Sequence, residues 1–234
     1  MPTRRSDARA AHTRRRASYC QRLKRAAMTT KRPDVEPEQE PASLDECRRC
    51  ALWEHATQAV PGNGPRHAPI MIVGEQPGDQ EDLQGKPFVG PAGAMLDRAL
   101  EEAGVARKEV YVTNAVKHFK WEPRGKRRLH KTPGQREIDA CHYWLDRETG
   151  DIAPKVIVAL GSTALKSVLH DAKATLQTSI GRAIEHEGHA IVATYHPSFA
   201  LRAPDPQTRE RAYKAIVDAL RDAHRLVAHH RKER

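Results

Sequence analysis

Four short apolar runs, residues 69–73, 109–113, 155–160 and His189–Thr194, punctuate the chain, each rich in β-branched side chains and each giving way to a polar or Gly-containing loop. Near-continuous apolarity over five or six residues is what a strand buried on both faces requires. Between the runs the spacing becomes helical. Over residues 92–103, Met95, Leu96, Ala99, Leu100 and Ala103 share one face and Gly104 ends the pattern. Residues 133–147 do the same with Ile138, Cys141, Trp144 and Leu145, and residues 163–169 and 205–229 complete the set, the last aligning Tyr213, Ile216, Val217, Leu220 and Leu226. Strand–helix alternation with right-handed crossovers predicts an α/β fold, a three-layer α/β/α sandwich around a four-stranded parallel sheet.

In such a sheet ligands bind beyond the carboxyl ends of the strands. The loops expected there are GEQPGDQEDLQGKPFVG, NAVKH, GSTA and YHPS. Ahead of the first strand, Ser43 and Glu46 form a capping-box pattern that predicts a short helix through Trp53, followed by a PGNGPRH loop. The acidic, proline-bearing stretch DVEPEQEPAS resists regular packing, so the folded domain is expected over 43–234, behind an irregular arm at 1–42.

At 234 residues the chain suffices for one substantial domain. It has no apolar run of about 18 residues, so no membrane span is predicted; its Arg-rich start has no apolar centre, so a cytoplasmic protein is expected, and no heptad suggests more than a monomer. Net charge is +10, yet residues 1–33 hold eleven Lys and Arg against Asp7 alone, so that segment carries the whole excess. Within the near-neutral remainder, residues 117–131 (KHFKWEPRGKRRLHK) set seven cations and two aromatics, Phe119 and Trp121, against Glu122, a mixture suited to a phosphate-bearing partner.

Of four cysteines, Cys47 and Cys50 form a CxxC pair that presents two thiolates to one metal. The pair precedes the first strand, which excludes a thioredoxin-type βα turn. Cys141 and His118 are the candidates to complete the ligand set, with Cys20 competing from the arm. By composition zinc and iron–sulfur remain equally open.

The segments GEQPGDQEDLQGKPFVGPAG, YVTNAVKHFK, GKRRLHKTP, VALGSTA and YHPS resemble, in order and spacing, the iron–sulfur branch of the uracil-DNA glycosylase superfamily, over about residues 44–202. The GKRRLH insertion and His118 in place of a usual cysteine resemble its UdgX subgroup, which excises uracil from DNA and stays covalently attached to the sugar. The resemblance implies a [4Fe–4S] cluster on Cys47, Cys50, His118 and Cys141 with a structural task, and uracil-containing DNA, single-stranded by preference, as substrate.

It also implies roles at the site. Phe88 stacks on a base flipped out of the helix, and Asn114 reads O4 and N3–H, which cytosine presents in the opposite sense. His196 hydrogen-bonds the departing base oxygen. Glu75 and Gln76 stabilise the sugar cation, position water or accept a proton. Gly74, Gly78 and Ser162 admit close backbone approach, while Asp79, Ser198, Arg127 and Arg128 serve the substrate or hold the basic loop. His130 attacks the sugar C1′ in place of water, a reaction open to neutral imidazole. Two other readings stand beside this one: a turning-over glycosylase in which His130 orients water, and a non-catalytic, metal-stapled nucleic-acid-binding module.

Overall fold

A computed structural model describes residues 41–232. In chain order its strands are β1 (Ile70–Gly74), β2 (Val110–Asn114), β3 (Trp121–Arg124), β4 (Arg127–His130), β5 (Val156–Leu160), β6 (Ala183–His186) and β7 (His189–Thr194). Its helices are α1 (Asp79–Gln84), α2 (Pro91–Ala103), α3 (Gln135–Ile152), α4 (Ser162–Val168), α5 (Leu176–Ser179), α6 (Pro197–Arg202) and α7 (Pro206–Lys232).

The main sheet runs β2-β1-β5-β7-β6. The four strands expected from the apolar runs are parallel to one another, and β6 adds an antiparallel edge, so the sheet has five strands and not four. Strand β6 escapes an apolar-run reading because only alternate side chains are half-buried. It is joined to β7 by Glu187 and Gly188, both at positive φ, the backbone a tight two-residue hairpin turn needs.

Successive strand residues face opposite ways, and the core divides accordingly. Ile70, Ile72, Val110, Val112, Val156 and Val158 pack on α2 and α7. Met71, Val73, Ile157, Ala159 and Ile191 pack on Leu145 and Ile152 of α3 and on Leu165 and Val168 of α4. These are the three expected layers. Helix α3 outruns its predicted end by a turn, because Ile152 is buried and the chain leaves the helix only at Ala153, in the left-handed region before Pro154.

Two expectations change. The helix predicted from Ser43 is a pair of tight turns and a 3-10 turn at Ala51–Glu54, which suffice to bury Cys47 and Leu52. The basic loop is an antiparallel hairpin, β3 paired with β4, with Trp121 opposite His130 and Arg124 opposite Arg127. The arm at 1–42, apart from its last two residues, and Cys20 lie outside the described residues. No helix among the described residues is long and apolar enough to cross a membrane.

Candidate active site

Register brings the strand ends together: Gly74 lies beside Asn114, Val73 beside Ala159 and Leu160 beside Thr194. The loops that follow enclose a cleft of about 630 Å³, lined by Glu75, Phe88, Asn114, His130, Ser162 and His196 among others.

Phe88 has φ +57 and is buried. Its ring stacks against His196, centroids 6.1 Å apart. Two glycines make room for it. A Cβ on Gly74 would lie 2.4 Å from Asn114 Oδ1 and 2.7 Å from Phe88 Cζ, and one on Gly93 would lie 1.9 Å from the Phe88 carbonyl oxygen. Asn114 is buried, and its side-chain amide makes no hydrogen bond among the described residues, so both its donor and its acceptor are left for a ligand.

His196 Nδ1 accepts a hydrogen bond from the Ser198 backbone N–H at 3.2 Å and lies 2.8 Å from Ser198 Oγ. A backbone N–H can only donate, so Nδ1 holds its lone pair and the ring proton sits on Nε2. Burial drives the imidazole down to about 4, against the pull of the Glu75 carboxylate, so the ring is neutral at physiological pH. Ser198 thus orients His196.

His130 closes the other side of the cleft, its Nε2 3.2 Å from Glu75 Oε1. The second Glu75 oxygen accepts from Thr163 Oγ1 at 2.6 Å. Burial raises this carboxyl, but the bonds to His130 and Thr163 outweigh it and hold Glu75 below its ordinary value.

Several of the expected site residues are engaged by the protein itself, and Arg128 takes the loop-holding task among those expected of it. Gln76 donates to the carbonyls of Lys120 and Lys131 and accepts from the Lys120 N–H, so its whole amide is spent clamping the base of the hairpin. Arg128 donates to Asp79 Oδ1 and Asp82 Oδ2, both at 2.6 Å, and lies over Phe119 and Trp121. It pins the hairpin to α1, which accounts for Asp79 as well. The Gly78 N–H goes to Glu81 Oε2, while Glu81 Oε1 accepts from Gly90, so one buried carboxylate ties both ends of the long loop that carries Phe88. Asp82, Glu81 and Gly93 had no sequence signal beyond their place in the motif.

Lys117 departs furthest from expectation. Counted among the basic-loop cations, it is fully buried, donating to Thr113 Oγ1, the Asn114 carbonyl and Glu148 Oε2 at 2.6–2.8 Å. Glu148 also accepts from Thr113 and from the Gly62 N–H. An internal ion pair therefore stands against the end of β2 that carries Asn114.

On the side facing α3, Cys50 packs with Cys141, Leu52, Val116 and Ile138, and Arg49 Nε donates to the Ala140 carbonyl, joining the CxxC segment to α3. A hydrogen bond from the Cys141 thiol draws Cys50 down to about 7, while Cys141 is held up in return. Cys47, Cys50 and Cys141 are free thiols. His118 is buried, kept neutral by that burial, and neither ring nitrogen has a hydrogen-bond partner among the described residues. Among the described residues no group of three or more His, Cys, Asp or Glu side chains is placed to hold a single metal ion. The donor chemistry is nonetheless that of a thiolate-bound cluster, whose ligands each address a different iron: Cys50 packs with Cys141, Cys47 and Cys141 are buried, and His118 is a buried imidazole.

Residues 61–221 match the uracil DNA glycosylase superfamily. The chain is 38% identical over 168 residues to the type-4 uracil-DNA glycosylase of Sulfurisphaera tokodaii, covering 68% of this chain and 73% of that protein. It is 39% identical over 177 residues to the type-4 uracil-DNA glycosylase of Thermotoga maritima, covering 75% and 88%. To the type-5 uracil-DNA glycosylase of Pyrobaculum aerophilum it is 31% identical over 167 residues, covering 64% and 70%.

Proposed function

The chain belongs to the uracil-DNA glycosylase superfamily, and from that premise we propose that it excises uracil from single-stranded DNA and captures the sugar through His130. The observation that carries the capture is the 3.2 Å contact of the His130 imidazole with a carboxylate at the mouth of the cleft. The same pair can also orient a water, so the crosslink itself separates capture from turnover.

The chemistry follows from the side chains. A uracil turned out of the stack lies against Phe88, and Asn114 donates to O4 while accepting N3–H. As the C1′–N1 bond breaks, its electron pair leaves with the base, and charge gathers on the base oxygens. His196, neutral with its proton on Nε2, donates to the developing anion without giving up that proton. The sugar is left as an oxocarbenium ion, stabilised by the Glu75 carboxylate. The His130 ring nitrogen not engaged by Glu75 supplies a lone pair to C1′. The proton on the other nitrogen passes to Glu75, so the adduct forms without water.

Cys47, Cys50, His118 and Cys141 would hold a [4Fe–4S] cluster, which would supply a cross-link between the CxxC turn, the end of β2 and α3. Nothing in the glycosidic chemistry above draws on it.

Incubation with a single-stranded uracil oligonucleotide, followed by heating in SDS, tests the reading. A retarded band supports capture. Free uracil without the band supports a turning-over glycosylase, and neither product supports a binding module.

A further inference from the structure

The hairpin that presents His130 carries more charge than the protein neutralises. Of the seven cations in residues 117–131, four have acidic partners: Lys117 with Glu148, Lys120 with Glu137, Arg128 with Asp79 and Asp82, and Lys131 with Glu122. The remaining three, Arg124, Lys126 and Arg127, are exposed, and their side chains make no ion pair or hydrogen bond among the described residues. They surround the turn, where Gly125 has φ +59.

Two features make this more than a solvated loop. Arg124 and Arg127 are direct cross-strand partners, and like charges placed opposite one another destabilise a strand pair. The hairpin is also held firmly, by the Gln76 clamp, by Arg128 on α1 and by Trp121 Nε1 donating to the His55 carbonyl. A repulsive cationic tip on a fixed support is favourable only when an anion meets it.

Resting on the DNA reading above, we propose that Arg124, Lys126 and Arg127 form a phosphate clamp for the strand being read, set at a fixed span from the reacting sugar. Arg127 and His130 lie at opposite ends of β4, three residues and about 10 Å apart at strand rise. That span corresponds to about three stacked nucleotides, fewer if the strand is stretched. The clamp therefore reads backbone on one side of the uracil only.

The full chain is titrated with a single-stranded oligonucleotide lacking uracil over a range of salt concentrations, which measures backbone binding whether or not any chemistry follows. The triple variant Arg124→Ser/Lys126→Ser/Arg127→Ser lowers the slope of log Kd against log salt by about 2, since each single-strand phosphate contact contributes about 0.7. The basic N-terminal segment contributes equally to both proteins. The paired-cation variant Lys131→Ser shifts the slope by less than one contact. An unchanged slope in the triple variant, or an equal loss from Lys131→Ser, overturns the clamp even if the crosslinked band forms. A second arm uses uracil oligonucleotides trimmed from either end, with wild type and triple variant both carrying His130→Ala so that no adduct forms and binding stays reversible. The affinity gap between wild type and triple variant closes when one flank is cut below about three nucleotides, and a gap indifferent to which flank is cut overturns the one-sided placement.

Discussion

One carboxylate serves two strand-end loops: Glu75 holds His130 Nε2 at 3.2 Å through Oε1 and Thr163 Oγ1 at 2.6 Å through Oε2. His130 arrives from a hairpin and Thr163 from the first turn of α4, so the carboxylate fixes the imidazole against the body of the sheet. His130→Ala is expected to abolish the SDS-stable band on uracil DNA while retaining measurable uracil release, because Phe88, Asn114 and His196 are untouched. Glu75→Gln keeps the contact but cannot accept the proton, so band formation slows by about 100-fold or more in single-turnover assays. A crosslink that persists in His130→Ala removes His130 from the mechanism.

His196 makes stability depend on pH. In the unfolded chain its imidazole takes up a proton below about 6.5, whereas in the fold it resists until about 4. Between those values the unfolded state binds more protons, so stability rises with pH across that window and falls on acidification. Glu75, held below its ordinary value, acts in the same direction at the acid end. Thermal melts should show Tm climbing from pH 4 to 6.5 in wild type and a flatter climb in His196→Asn. An identical climb in both proteins refutes the assignment.

Gly74 and Gly93 guard Phe88 differently. A methyl at Gly74 meets the Asn114 amide and the Phe88 ring edge, both side-chain atoms of the cleft, whereas at Gly93 it meets Phe88 backbone. Gly74→Ala should therefore melt near wild type and lose uracil release, while Gly93→Ala should lose stability by about 2 kcal/mol or more through forced backbone displacement. Calorimetry and a uracil-release assay on the pair separate the two effects.

Burial of Lys117 with Glu148 predicts a non-additive pair. Lys117→Met strands a carboxylate that keeps Thr113, the Gly62 N–H and the Tyr111 hydroxyl but no cation, costing about 3 kcal/mol. Removing both charges in Lys117→Met/Glu148→Leu should restore part of that loss, visible as a coupling in urea titrations. Strict additivity contradicts the ion pair.

Cluster binding has a readout independent of catalysis. Protein purified without oxygen should be brown, with broad visible absorbance and iron and sulfide by chemical assay. Cys47→Ser and His118→Ala should each lower iron content and melting temperature. A colourless protein carrying zinc would instead favour the simpler metal site.

The parallel sheet, its three layers and the loops around the cleft were legible in the chain itself, because burial on both faces demands unbroken β-branched runs and one-sided burial demands helical spacing. Asn114 and His196 were legible too, since they sit at or within two residues of those strand ends, whereas Phe88, fourteen residues beyond β1, was reached through the motif it shares with the family. What the linear order concealed is everything decided by partners distant in sequence. Lys117 looks like one more surface cation until the fold sets Glu148 beside it; Gln76 looks like a group for the sugar cation or a water until the hairpin comes within its reach, and only the fold shows that Asp79 and Asp82 are what Arg128 holds. The hairpin was unreadable for the same reason: its strands bury no apolar stripe and are held by long-range hydrogen bonds and ion pairs. Hydrophobic pattern is local and periodic, so sequence carries it; charge compensation depends on distances of a few ångströms between remote residues, which only the folded chain sets.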